Sequence, residues 1–177
     1  MTGSGDRFDH PLIDRYASPT MAALFTPRAR HGAWRDLWIA LAQGEHELGF
    51  PVSQAQVDEL RAHRDEFDWD RCAALERELR HDVMAHVHHY GDCCPTARAI
   101  IHLGATSCYV TDNTDLLLLR EGWQLVRERL WQVIAALADF AARQAELPCL
   151  AYTHLQPAQP TTVAHYLLAV VEQLERD

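Results

Sequence analysis

Between Asp112 and Pro148 the apolar residues Leu116, Leu119, Trp123, Val126, Leu130, Val133, Ile134, Leu137 and Phe140 recur at spacings of three and four. That spacing predicts one amphipathic helix of more than ~30 residues, about 50 Å long at ~1.5 Å per residue. Such a helix is longer than a small domain is wide, so it belongs to a bundle or an oligomer core. A second run begins near Pro160 with Val163, Leu167, Leu168, Val171 and Leu174, and it is still amphipathic at Glu175-Arg176-Asp177. No Gly, Pro or capping residue closes it, so the sequence predicts an element interrupted by the end of the chain. No segment has strand periodicity, and the predicted class is all-α.

Earlier elements are marked by their caps. Thr26 and Pro27 open a helix carrying Trp34, Leu37, Trp38, Leu41 and Leu48, which Gly49-Phe50-Pro51 ends. The tryptophans at helical spacing read as core or subunit interface. Ser53 with Gln56 has capping-box spacing and opens a short polar helix. Asp68 caps a predicted helix running through Cys72, Leu75, Leu79, Val83, Met84 and Val87 to Gly91. Asp92 to Thr111 reads as a short helix and then a loop. Residues 1 to about 14 show no apolar period and are expected to be mobile. The reading divides the chain into an N-terminal helical domain, 1–111, and the start of a long-helix bundle, 112–177.

Composition removes several function classes. All 16 basic residues are arginine and the formal net charge is −9. Without lysine this stretch offers no Schiff base and no P-loop lysine, and its acidity argues against a nucleic-acid surface. No apolar run reaches the ~20 residues of a membrane span, and no secretory signal order is present, so a cytoplasmic location is expected. Five cysteines without a C-x-x-C pair predict reduced thiols.

Three groups place reactive side chains where packing does not explain them. They are Arg80-His81-Asp82, the loop His102-Leu103-Gly104-Ala105-Thr106-Ser107, and Thr153-His154, which lies in a stretch where Pro148, Pro157 and Pro160 should suspend regular structure. Taken singly, each also has a structural explanation: a solvated helix face, a helix-entry turn, an ordinary loop histidine. The cluster His81, His86, His88 and His89 contains only one pair at ligand spacing, His86 and His89, and no H-E-x-x-H or paired cysteines, so metal binding is disfavoured.

Four stretches in order change that balance: RYASPTMAALFT (15–26), RHDVMAHVHHYGDCCP (80–95), IIHLGATSCYVTDNTDLLLLR (101–120) and YTHLQPAQPTTV (152–163). Together they closely resemble the N-terminal part of the adenylosuccinate lyases, a family of the fumarase/aspartase superfamily. The resemblance implies an N-terminal helical domain followed by the first long helices of a bundle, and a homotetramer. It implies β-elimination of fumarate from adenylosuccinate and from succinylaminoimidazole carboxamide ribotide in purine biosynthesis, without metal or organic cofactor. Removing a proton beside a carboxylate builds a dianionic intermediate that needs preorganised donors, and the departing amine needs a proton that histidine can supply near neutrality. By resemblance His154 is the general acid and Thr153 helps hold the substrate. Thr106 and Ser107 contact the succinyl carboxylates, His81 and Asp82 orient the nucleotide, His102 lies in the same pocket, and Arg15 and Tyr16 lie near the phosphate.

Two features depart from the pattern. After TTV the family continues Gly-Lys, whereas this chain has Ala164-His165-Tyr166, a run that looks more like argininosuccinate lyase, the alternative substrate class. The family's serine loop, which supplies the base and a lysine, has no counterpart here, so a polypeptide of these residues alone is expected to be inactive. A non-catalytic helical oligomerisation module is the alternative of another class. The reading frame beyond Asp177 separates the two.

Overall fold

The computed structural model describes residues 10–176. They form eight helices, α1 (Pro11–Arg15), α2 (Pro19–Leu24), α3 (Pro27–Glu47), α4 (Gln54–Ala62), α5 (Trp69–Leu79), α6 (Asp82–Cys93), α7 (Ser107–Arg143) and α8 (Val163–Arg176), and one hairpin of β1 (Pro148–Thr153) and β2 (Gln156–Thr162). The fold is helical, of the kind the apolar periods predict. None of the described helices is long and apolar enough to cross a membrane. Two compact units part between Gly122 and Trp123, inside α7.

The first unit is built from capped helices. Thr26 Oγ1 accepts the Ala29 amide at 3.2 Å with Pro27 in the first turn of α3. Ser53 and Gln56 complete a reciprocal capping box on α4, and Asp68 Oδ1 accepts the Arg71 amide at 2.9 Å to start α5. These helices bury Trp34, Trp38, Val57, Leu60, Val83 and Tyr90 in a common core. Against it lies a stacked imidazole pair, His31 and His86, 3.8 Å apart, with Cys72 Sγ 3.8 Å from His86 Nδ1. His89 Nε2 accepts the Asp68 amide at 3.0 Å. His86 and His89 are thus engaged in packing and capping. Among the described residues no group of three or more His, Cys, Asp or Glu side chains is arranged to hold a metal ion.

Three boundaries differ from the sequence reading. The helix expected from Asp68 to Gly91 is two helices: Arg80 turns left-handed at φ 51 and ends α5, and His81 caps α6. Gly91 does not end α6. A Cβ there would lie 2.8 Å from Arg98 Cγ, so the glycine admits a crossing side chain and the helix continues to Cys93. The residues from Thr96 to Gly104 form successive turns, and α7 starts at Ser107, ahead of Asp112, running for 37 residues. Near the N-terminus, His10 Nδ1 caps the single helical turn Pro11–Arg15, within a stretch where the sequence shows no apolar period. Residues 1–9 of the segment expected to be mobile lie outside the described residues.

The second unit corrects a larger expectation. The proline-rich stretch expected to be irregular is an antiparallel hairpin, pairing Thr153 with Gln156, Tyr152 with Pro157, Leu150 with Pro160 and Pro148 with Thr162. A two-stranded ribbon has two edges, so a residue lacking N–H can sit where its amide would face outward, and the register slips between Leu150 and Tyr152. Thr162 Oγ1 then accepts the His165 amide at 3.3 Å, and α8 begins at Val163.

Candidate functional site

In the first unit the site is built where two helices begin. His81 is the N-cap of α6, its Nδ1 accepting the Met84 amide at 3.5 Å. A neutral ring used this way carries its proton on Nε2. That Nε2 lies 3.3 Å from the Oγ of Ser107, the first residue of α7. The imidazole therefore donates to Ser107 and leaves the hydroxyl proton free to point at a ligand. Thr106 precedes Ser107 and is exposed. The first amides of both helices lack intrahelical acceptors, and each N-terminus carries partial positive charge. With the first α6 amides taken by His81 and Asp82, the start of α7, with the Thr106 and Ser107 hydroxyls, is the end that suits an anion such as a carboxylate.

Beside this contact is an open cleft of ≈ 550 Å³ lined by Glu76, Arg80, His81 and Asp82. Asp82 Oδ1 accepts its neighbouring Val83 amide at 2.8 Å and lies 3.4 Å from His81 Nδ1, where it would pair with a protonated ring. Arg80, forced left-handed between two helices, brings a guanidinium to the same cleft.

The loop before α7 is conformationally demanding. His102 has φ 69 and Gly104 φ 66. His102 Nδ1 accepts the Trp38 indole N–H at 3.1 Å. Burial, and then the nearby His81, lower the His102 pKa, so its ring is held neutral. Glu45 lies beneath the loop, its Oε1 3.6 Å from where a Gly104 Cβ would stand, and its Oε2 is buried without a hydrogen-bond partner. Burial raises the Glu45 pKa. Arg15 ends α1 and Tyr16 is its C-cap, with a largely exposed ring; neither hydrogen-bonds to His81, Asp82 or Ser107.

In the second unit, His154 and Leu155 are the two turn residues of the hairpin, with φ 49 and φ 63. Two successive left-handed residues make the tight reversal that matches the twist of paired strands, a role usually filled by Asn-Gly. A histidine and a leucine there carry a steric cost that glycine would not. His154 stands exposed at the tip, directly after Thr153 at the end of β1.

Of the residues singled out in the sequence, His81, Asp82 and Ser107 are thus in contact, with His102 nearby. Glu76 was not singled out in the sequence, and Arg80 was singled out beside His81 without being given a role. Trp38 was read as core or subunit interface, because an apolar period records a buried face and is silent about its indole N–H.

A family model described as lyase matches residues 15–177. The adenylosuccinate lyase of Schistosoma mansoni is 43% identical over 172 residues, covering 97% of this chain and 36% of that protein. That of Saccharomyces cerevisiae is 44% identical over 172 residues, covering 96% and 36%. The chain therefore spans little more than a third of these curated relatives. Among solved structures, a 3-carboxy-cis,cis-muconate lactonizing enzyme from Pseudomonas putida superposes with a TM-score of 0.83 at 26% identity, covering 95% of this chain and 40% of that one. A fumarate lyase from Mesorhizobium sp. BNC1 gives 0.82 at 23% identity, covering 90% and 38%, a likeness of fold. The match over nearly every described residue, on a helical fold shared with these enzymes, means that the chain belongs to the lyase family.

Proposed function

We propose that the protein to which this chain belongs is a cytoplasmic, homo-oligomeric adenylosuccinate lyase that eliminates fumarate from a succinylated purine nucleotide. The observation that carries the reading is the 3.3 Å contact of His81 with Ser107, which brings the start of α6 to the start of α7. The succinyl carboxylates would sit at Thr106 and Ser107, with hydroxyl and amide donors stabilising the charge that develops as the β-proton leaves. His81, Asp82 and Arg80 would orient the nucleotide, with Arg15 and Tyr16 near its phosphate. His154 would protonate the amine as the C–N bond breaks, with Thr153 beside it holding the substrate. The base would come from outside these residues. A polypeptide confined to residues 1–177 is therefore expected to release no fumarate.

The test is fumarate release from adenylosuccinate by the longest encoded chain, alone and with His154→Gln. Loss of an acid that protonates the leaving group should lower kcat by about 10²- to 10⁴-fold. A complete chain that ignores adenylosuccinate but cleaves argininosuccinate would overturn the substrate assignment and give weight to the Ala164-His165-Tyr166 run.

A further inference from the structure

We propose that Trp38 is a positioning residue whose indole N–H fixes His102 in the tautomer protonated on Nε2, so that His102 presents a neutral N–H donor to the substrate's carboxylates. The inference rests on the lyase reading above for the identity of the ligand. The tautomer rests on geometry alone.

An indole nitrogen can only donate, so at 3.1 Å the His102 Nδ1 must accept. A neutral imidazole that accepts at one nitrogen carries its proton on the other. Nε2 makes no hydrogen bond among the described residues, and it is not among the buried unpartnered atoms, so it remains open to a ligand. The donor is rigid: Trp38 is 1% exposed, packed against Trp34 and Tyr90, with the Tyr90 hydroxyl donating to the Leu60 carbonyl at 2.6 Å. The His102 ring meets the indole edge-on at 89°. The left-handed backbone at φ 69 needs such a fixed partner to persist. Burial disfavours an imidazolium here, and one would turn a second N–H toward the indole N–H, so the surroundings favour the neutral ring. His102 then binds through a hydrogen bond and transfers no proton.

Neutron diffraction from crystals of the full-length protein reads the tautomer directly: deuterium on Nε2 and none on Nδ1 is expected, and deuterium on Nδ1 overturns the proposal. The kinetic arm replaces Trp38 with β-(3-benzothienyl)alanine, which keeps the ring shape and puts sulfur in place of the N–H, so folding and Tm should be retained where Trp38→Phe would leave a void. With the lock removed, the KM for adenylosuccinate should rise about five- to tenfold while kcat stays within about twofold, the signature of lost ground-state binding. An unchanged KM in a folded variant overturns the positioning role. If the unmodified protein releases no fumarate, the lyase reading fails on that result, and the deuterium map still decides the tautomer.

Discussion

Protonating either ring of the His31–His86 stack places a charge inside packed aromatic surroundings. Burial, then the charge of Arg30, pulls the His31 pKa down from 6.5 to about 4; burial, then His31 and Arg35, pulls His86 down to about 2. Both rings are held neutral by the fold, so the unfolded chain binds more protons below about pH 6.5 and stability falls with pH from there down through the folded values. For each ring the slope approaches about 1.4 kcal/mol per pH unit. Urea unfolding followed by tryptophan fluorescence should show a lower midpoint at pH 5 than at pH 7, and His86→Phe should shrink that gap. An equal gap in the variant would mean the stack is not its source. The sequence showed His86 within a cluster of four and gave no sign of His31, and the burial of both was illegible because imidazole is equally at home in solvent, on a metal or against a ring. His154 stood out for the opposite reason, that no apolar period claims it, and it is exposed.

At the scale of elements, the caps were readable and the reversals were not. Thr26, Ser53 and Asp68 start α3, α4 and α5 where their side-chain chemistry predicts. The break at Arg80 was hidden because the apolar period runs through it without Gly or Pro, and histidine is a rare cap. The hairpin was hidden because its turn is His-Leu and its strands carry prolines, both against the usual signals. That turn gives an element-scale prediction. Leu155 is 93% exposed and left-handed, so Leu155→Gly removes steric cost without removing a contact. Hydrogen exchange across residues 148–162 should slow by about fivefold, equivalent to ~1 kcal/mol. Faster exchange would show that the leucine stabilises the turn.

For the molecule as a whole, the informative surface is along α7. Leu116, Leu119, Trp123, Val126, Leu130, Val133, Leu137 and Phe140 alternate spacings of three and four, the heptad pattern of a helix seam. Most of these side chains are exposed in the single chain, Trp123 at 62% among them. A monomeric protein seldom leaves so continuous an apolar stripe in water. The pairing of Val126→Glu with Val133→Glu is expected to weaken self-association of the longest encoded chain more than about tenfold, ~1.4 kcal/mol, in sedimentation velocity. An unchanged sedimentation coefficient would remove the seam from the interface. The length of this helix was legible in the sequence because it needs only a period; what covers its apolar face is not written in these residues.

His81 holds two appointments, one at each ring nitrogen: it begins a helix and it steadies Ser107. Asparagine begins helices well but cannot reach Ser107 with a second donor on a rigid ring. Histidine and asparagine codons differ by one base. One base change at this codon could thus release Ser107 while leaving the start of α6 intact, so the contact between the two helices can be lost without any loss of architecture.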